Sequence, residues 1–140
     1  MRWFLLALLT LPLLTGLASR TLADKEKKMD TRVFEMRVYY AAPGKMKALH
    51  ARFRDHTCKL FKKHGMTLVG FWSPTDPADA EVKMIYVLAY PSKEAADKSW
   101  KGFREDPDWI KARNESEKDG KLVEKIESVY MNPTDYSPLQ

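Results

Sequence analysis

The sequence predicts an α+β domain in which four antiparallel strands and two helices follow one another in the order βαββαβ. Four short segments are rich in β-branched and aromatic residues, as strands are. Two longer segments carry apolar residues at spacings of three and four, as amphipathic helices do. Proline and glycine separate these segments. The order is the ferredoxin-like pattern, an antiparallel sheet with helices on one face.

The first strand is predicted over residues 32–40 because one parity of its side chains is wholly apolar. The other parity is mixed and carries Glu35 and Arg37. The first helix is predicted over residues 45–64, where apolar side chains recur at helical spacing. Gly65 follows as a left-handed helix stop.

The second and third strands are predicted over residues 66–73 and 82–90, and both are apolar on both parities. Strands of this kind need cover on both faces. Ser92 is predicted to cap the second helix, and Asp106 with a following proline restarts it to about residue 119. Its core anchors are Trp100, Phe103 and Trp109. The fourth strand is predicted over residues 121–131.

The helices of this pattern cover one face of the sheet, and the opposite face is too apolar to be left in water. A second copy packed sheet to sheet around a two-fold axis would cover it. We therefore expect a homodimer, and two such sheets can enclose a cavity for a small-molecule ligand.

The first 23 residues have the pattern of a signal peptide: a basic start, a short apolar run and small residues before a cleavage site. Cleavage is expected after Ala23 or after Ala18, and an uncleaved anchor is the alternative. Residues 24–31 are expected to be a disordered mature N-terminus, and residues 32–140 form the domain. The chain is then secreted or periplasmic, with no stable membrane span after leader removal.

Of 140 residues, 44% are hydrophobic and 31% charged, which is typical of one globular domain. The formal net charge is +5, and Arg2 and Arg20 fall in the leader. Lysines and arginines alternate with acids in the rest of the chain, which argues against nucleic acid as a partner. The single cysteine, Cys58, excludes an internal disulfide and is either a small packing residue or available to another chain.

A candidate ligand pocket is suggested by Glu35, Arg37 and Tyr39, which share one parity of the first strand, with Trp72 and Tyr86 from the next two strands. A carboxylate, a cation, a phenol and aromatic walls are the mixture expected of a small-molecule site. The alternative is a wet dimer interface in which the two charges pair with those of a second subunit.

His56 could act as an acid, a base or a ligand at such a pocket, or it could be a packed, hydrogen-bonded histidine. His64 precedes the helix stop, and a positive charge there would interact favourably with the carbonyl groups at the end of the helix. No metal-binding spacing and no phosphate or dinucleotide fingerprint is present, so neither a metal nor a cofactor is predicted.

Short segments spread over the domain together resemble the NIPSNAP family. They are Val33-Phe34-Glu35-Met36-Arg37-Val38-Tyr39, Pro43-Gly44-Lys45, Phe53-Arg54-Asp55-His56-Thr57, Lys63-His64-Gly65-Met66, Val69-Gly70-Phe71-Trp72, Ala96-Asp97-Lys98-Ser99-Trp100, Phe103-Arg104-Glu105-Asp106-Pro107-Asp108-Trp109 and Asn132-Pro133-Thr134-Asp135-Tyr136-Ser137-Pro138. The resemblance covers residues 32–139 and implies a dimeric α+β barrel.

The resemblance implies no established reaction and assigns no catalytic residues. Three functions remain open at this point: a homodimeric barrel that binds a small apolar or aromatic molecule, a non-catalytic interaction or scaffold protein, and a cofactor-independent enzyme of the monooxygenase type found among other dimeric α+β barrels.

Overall fold

The structure is a computed structural model that describes residues 32–139. The expected leader, its cleavage sites and the segment 24–31 lie outside the described residues. Within residues 32–139, no helix is long and apolar enough to cross a membrane. The elements are β1 (Val33–Ala41), α1 (Met46–Arg52), a π-helical segment (Phe53–Thr57), α2 (Cys58–Lys63), β2 (Thr67–Trp72), α3 (Pro77–Ala80), β3 (Lys83–Tyr90), α4 (Lys93–Glu105), α5 (Pro107–Ser116) and β4 (Val123–Met131).

The four strands form one antiparallel sheet in the order β2-β3-β1-β4, so that β2 and β4 are its edges. Helices lie against one face. The predicted α+β, ferredoxin-like βαββαβ fold is confirmed. A β-bulge between Leu68 and Gly70 interrupts the pairing of β2 with β3.

The first helix differs from the single α-helix that the periodicity predicts. The backbone N–H of Cys58 bonds to the carbonyl of Phe53, five residues earlier, and residues Phe53–Thr57 are π-helical. The wider turn buries both Phe53 and Thr57 while Arg54, Asp55 and His56 stay exposed. Such segments are rare and often occur near functional sites.

Local signals set the ends of the helices as predicted. The hydroxyl of Ser92 accepts a hydrogen bond from the backbone of Ala95 at 3.1 Å, and the Asp106 carboxylate accepts one from the backbone of Asp108 at 2.8 Å. Gly65 ends α2 with a φ of +78°, a value that costs glycine little because it has no Cβ.

The core lies between the sheet and the helices and is centred on Tyr86. Its ring contacts those of Tyr39 and Phe53, both at 5.3 Å between centroids, and stacks on Phe71 at 5.4 Å. Trp100 and Phe103 are buried in this core as predicted, and Trp109 is partly buried against it. Aromatic pairs at these distances add to the stabilisation from apolar burial.

The mixed parity of β1 faces the helices, and its wholly apolar parity faces the open side of the sheet. Glu35 reaches Trp100 of α4, and Tyr39 contacts Phe53 of the π-helical segment. The alternate residues Met36 and Val38 are only half buried, because no helix covers their side. The core-facing side of this strand is therefore the one that carries charge.

The edge strand β4 is exposed along most of its length on both faces. Ile126, on the helix side, is 46% exposed, and Val129, on the open side, is 49% exposed. The helices therefore do not reach over β4, and the helix side of the sheet is open beside β1.

Candidate functional site

A fully buried carboxylate lies between the sheet and α4. Glu35 is 0% exposed, and its Oε2 accepts hydrogen bonds from the hydroxyl of Tyr90 and the indole N–H of Trp100, both at 2.7 Å. Its Oε1 accepts from the hydroxyl of Ser128 at 2.7 Å and from Nη1 of Arg37 at 2.6 Å. Four donors therefore replace the water that this anion loses on burial.

The Glu35 carboxylate is held in its ionised form. Burial raises its pKa, but the hydrogen bonds from Ser128, Tyr90 and Trp100 and the charge of Arg37 lower it by more, so that the pKa lies below its usual value. A carboxylate with a lowered pKa and four occupied acceptor positions is a weak base. Its chemical effect is to anchor and neutralise Arg37.

Arg37 is held between the carboxylate and aromatic rings. Its guanidinium carbon lies 4.3 Å from the centre of the Trp100 ring and 5.7 Å from that of Tyr39. Burial lowers the pKa of Arg37, but Tyr86, Tyr39 and Glu35 raise it by more, and the group is charged. The network therefore fixes one face of a cation inside the fold.

Two buried polar atoms in this cluster have no hydrogen-bonding partner among residues 32–139: Nε of Arg37 and the hydroxyl oxygen of Tyr86. Arg37 and Tyr86 lie directly opposite each other in the pairing of β1 with β3. Burial raises the pKa of Tyr86 well above its usual value, so its hydroxyl keeps its proton. The cluster thus holds two polar groups without a hydrogen bond of ordinary geometry, and the Tyr86 hydroxyl, which has Tyr39 beside it, can donate or accept.

The structure brings together four of the six candidate pocket residues, namely Glu35, Arg37, Tyr39 and Tyr86. The expectation that Trp72 shares this pocket is wrong. After the bulge in β2, Phe71 pairs with Tyr86 on the helix side, and Trp72 therefore lies on the open face, 51% exposed. Alternation along a strand decides this once the register is known.

His56 is also separate from the cluster. It is exposed on the π-helical segment and lines a surface groove of about 290 Å³ against α5, with Lys59, Asp108, Lys111 and Glu115 among its neighbours. The proposal of a histidine beside the charged residues of β1 is therefore wrong in its geometry. Among the described residues, no group of three or more histidine, cysteine or acidic side chains is placed to hold a metal ion.

The open face of the sheet carries an apolar groove of about 340 Å³. Its lining comes from the sheet and from the segment that follows β4: Phe34, Val69, Trp72, Val87, Met131, Asn132, Pro133, Thr134, Ser137 and Leu139. The Trp72 ring lies over Gly70 of the same strand, so close that a Cβ added at Gly70 would come within 2.5 Å of it. The glycine thus allows the indole to form one wall of the groove.

Tyr90, Ser128 and the indole N–H of Trp100 are the site residues that the sequence reasoning missed. Tyr90 shares the parity of Tyr86 in a strand that was predicted, so its position beside Glu35 follows once β1 and β3 are paired. A buried carboxylate needs donors, and this requirement is the signal that could have led to them.

The remaining histidines and the cysteine lie against other parts of the fold, away from Glu35 and Arg37. His64, expected to interact with the helix end, has its Nε2 2.6 Å from Oδ2 of the buried Asp106 and so links α2 to α5. Cys58 is partly buried against the core, and burial raises the pKa of its thiol. His50 lies near it in a pocket that Trp72 also lines.

The family of the chain follows from its sequence. The NIPSNAP family model matches residues 34–138. The chain belongs to the NIPSNAP family. No curated protein matches it.

Solved structures of bacterial NIPSNAP proteins have the same fold. One from Agrobacterium tumefaciens, of unknown function, has a TM-score of 0.67 at 22% identity over 79% of this chain and 96% of its own. A second from that organism has a TM-score of 0.67 at 22% identity over 78% and 99%. An uncharacterised NIPSNAP-like protein from Burkholderia xenovorans has a TM-score of 0.66 at 14% identity over 78% and 90%. At these identities the likeness is one of fold.

Proposed function

We propose that this NIPSNAP protein is an exported homodimeric α+β barrel that binds a small apolar or aromatic molecule in the groove on the open face of its sheet. The observation that carries the proposal is the groove itself, which is walled by aromatic and aliphatic side chains and lies on a face that no helix covers. Export is inferred from the N-terminal residues alone.

Homodimerisation is supported by the apolar character of the open face across three strands. Met36 lies between Val87 of β3 and Val129 of β4, and Val38 lies opposite Ile85. The members of this surface are half buried or exposed in one chain. Apolar area removed from water stabilises an interface by about 25 cal/mol per Å², and an isologous contact would cover the same surface on both copies.

Ligand binding is supported by the size and lining of the groove. A volume of about 340 Å³ is within the range of small-molecule sites. Phe34 and Trp72 offer aromatic surface, and Asn132, Thr134 and Ser137 offer a few polar atoms along one wall. Such a lining favours a flat, mainly apolar molecule with one or two polar substituents, and a second copy over the open face would shield it from water.

The proposal is for binding and not for catalysis, because the ionised carboxylate of Glu35 already accepts four hydrogen bonds. A cofactor-independent enzyme would need a base that is free to take a proton. A scaffold protein would use the same dimer with an empty groove, and the ligand titration below separates ligand binding from that role.

The dimer is tested by light scattering on the processed chain recovered after export. Val87→Asp places a charge in the middle of the open face and should give a monomer. Ile110→Asp is the matched control, since Ile110 is 40% exposed on α5, and it should leave the mass of a dimer unchanged. A monomeric wild-type chain, or a dimeric Val87→Asp variant, contradicts this interface.

Ligand binding is tested by titration with a naphthalene fluorophore. Trp72→Ala should weaken binding at least about tenfold by removing one wall of the groove, because lost aromatic contact area is worth more than 1.4 kcal/mol. Tyr136→Ala is the control, since that side chain is 84% exposed outside the groove lining. A dimer that binds no probe would favour the scaffold function instead.

A further inference from the structure

A second cleft opens beside the edge strand β2, where the first helical region faces the end of β2 and the start of β3. It has a volume of about 240 Å³, and its apolar surface comes from Phe53, Phe71, Trp72 and Met84. Met84 and Phe53 are buried at its base, and the exposed Trp72 stands at its rim. The cleft is distinct from the groove on the open face, because the two have only the Trp72 side chain in common.

The π-helical segment shapes the helical wall of this cleft. Because the backbone N–H of Cys58 bonds to the carbonyl of Phe53, Cys58 lies one wide turn beyond Phe53, and both side chains line the cleft. Arg54, the next residue in the segment, lines it as well and is exposed. Helical turns of this kind are frequent at functional sites, and this one places a cation beside an apolar base.

The polar groups of the cleft offer hydrogen-bond donors and a positive charge. The guanidinium of Arg54 is a cation with several N–H donors, and the His50 ring and the Ser73 hydroxyl can donate beside it. No acidic side chain of residues 32–139 lines the cleft. The acidic neighbour of Arg54 in the sequence, Asp55, lines a different groove against α5. In the described part of the chain, the Arg54 side chain has no ion-pair or hydrogen-bonding partner.

The charge of the cleft selects a ligand with one negative charge. A cation would be repelled by the guanidinium, and a phosphate monoester, with a charge of roughly −2, would exceed the single cation. A carboxylate matches it and can accept two parallel N–H bonds from a guanidinium. Because Arg54 is exposed, the carboxylate keeps part of its hydration and the pair avoids most of the cost of burying charge.

The size and lining of the cleft select the rest of the ligand. Small-molecule sites usually begin at about 300 Å³, so a cleft of this volume suits a molecule of one or two rings. The Phe53 and Phe71 rings lie 6.0 Å apart between centroids and give the cleft an aromatic wall. A flat apolar body fits against such a wall, and its charged end would reach Arg54 at the exposed side.

We infer that this cleft binds a small aromatic carboxylate, with the ring against Phe71 and Trp72 and the carboxylate on Arg54. The inference does not rest on the function proposed for the open-face groove.

The first test compares phenylacetate with phenylacetamide, which has the same ring and no charge, by calorimetric titration of the processed full chain. Phenylacetate should bind at least about fivefold more tightly, which corresponds to about 1 kcal/mol for a partly exposed ion pair. Arg54→Gln should remove this preference and melt at the wild-type temperature, because the side chain has no partner in the fold. Arg104→Gln, the matched control, removes an exposed charge on α4 and should keep the preference.

The second test locates the ligand through Cys58, the single cysteine of the chain, which lines the cleft and is partly buried. Alkylation by iodoacetamide at mildly alkaline pH should slow as phenylacetate saturates the protein. The same concentration of phenylacetamide should slow it less, and in Arg54→Gln the two compounds should have equal effects.

Equal affinities for phenylacetate and phenylacetamide, or no binding of either, overturn the inference. So does a loss of preference in Arg104→Gln as large as in Arg54→Gln, and so does a Cys58 that reacts at an unchanged rate in saturating phenylacetate. Failure of the groove proposal is read separately, with an uncharged naphthalene fluorophore and Leu139→Ser. Leu139 lines the groove and not the cleft, so this variant should weaken the fluorophore and leave phenylacetate binding unchanged.

Discussion

The indole N–H of Trp100 donates a 2.7 Å hydrogen bond to the carboxylate of Glu35, 65 positions earlier in the chain. This bond joins the middle of α4 to β1 and places an anion in the core of the domain. Because the Trp100 ring also lies against Arg37, one residue contacts both charges of a buried pair. The stability of the fold and the position of this charge pair are thus coupled.

Replacing Glu35 with glutamine should lower the free energy of unfolding by about 3 kcal/mol or more, because Arg37 would be left buried without its counter-charge. An amide also turns one acceptor into a donor that faces other donors. Urea unfolding measures the change, with the exposed Glu105→Gln as control. A loss as small as that of the control would show that the network contributes little.

Acid should destabilise the protein through Glu35 and Asp106. Both carboxyls have pKa values below their ordinary 4.5 and 3.8 in the folded state, Glu35 through its hydrogen bonds and Asp106 chiefly through Lys63 and His64. In acid the unfolded chain therefore binds more protons than the folded chain. The stability that the two ionised carboxylates contribute is complete above their ordinary pKa values and is lost as the pH falls below those values.

The measurement for this pH dependence is the free energy of unfolding between about pH 7 and pH 3. It should be level near neutrality and fall below roughly pH 5. Asp106→Asn should make the fall less steep, and Asn114→Asp, an exposed site, should not. An unchanged slope in Asp106→Asn would mean that this carboxyl has the same pKa in both states.

Gly70→Ala should move the indole of Trp72 with little effect on stability. The added Cβ would lie 2.5 Å from the ring, and the ring is the exposed end of a side chain that can rotate away. We expect a change in unfolding free energy below about 1 kcal/mol, a shift in the tryptophan emission and weaker binding of the naphthalene fluorophore. Trp72→Phe provides the baseline emission. A large loss of stability would mean that the strand and not the ring had moved.

Gly102→Ala should have opposite effects in two backgrounds. An alanine Cβ would lie 2.8 Å from Nδ1 of His64, whose Nε2 is held by Asp106. Alanine in place of glycine stabilises a helix by roughly 0.5–1 kcal/mol. In the wild type the close contact with His64 should cost more than this gain, so that the substitution lowers stability. In a His64→Ala background the same change should stabilise. A double-mutant cycle by urea unfolding measures this, and additive effects would contradict the contact.

The sequence predicted those features that depend on neighbouring residues. Helix caps at Ser92 and Asp106 and the stop at Gly65 follow from short-range backbone geometry, and all three are present. The order of strands and helices followed from periodicity, which the chain carries locally. The π-helical turn at Phe53 was not predicted, because the apolar residues around it, Leu49, Phe53, Leu60 and Phe61, recur at spacings that a regular α-helix also gives.

Candidate site residues were predicted less well, and Trp72 shows why. Alternation divides the residues of a strand between two faces, but it does not say which set faces the helices. In β2 the bulge after Leu68 shifts the register with β3, and Trp72 therefore lies on the open face. Tyr86 was placed with Arg37 because β3 is regular. His56 was misplaced because its direction depends on a turn of helix that the sequence did not predict.

By itself the sequence determined that this chain is a NIPSNAP-type α+β domain with strands that are apolar on both faces of the sheet. The tertiary structure decided that the charged parity of β1 faces the core and the apolar parity faces outward. The physical reason is that Glu35 can be buried only where Tyr90, Trp100 and Ser128 converge on it, and these donors come from three different elements. Such convergence exists only in the folded chain.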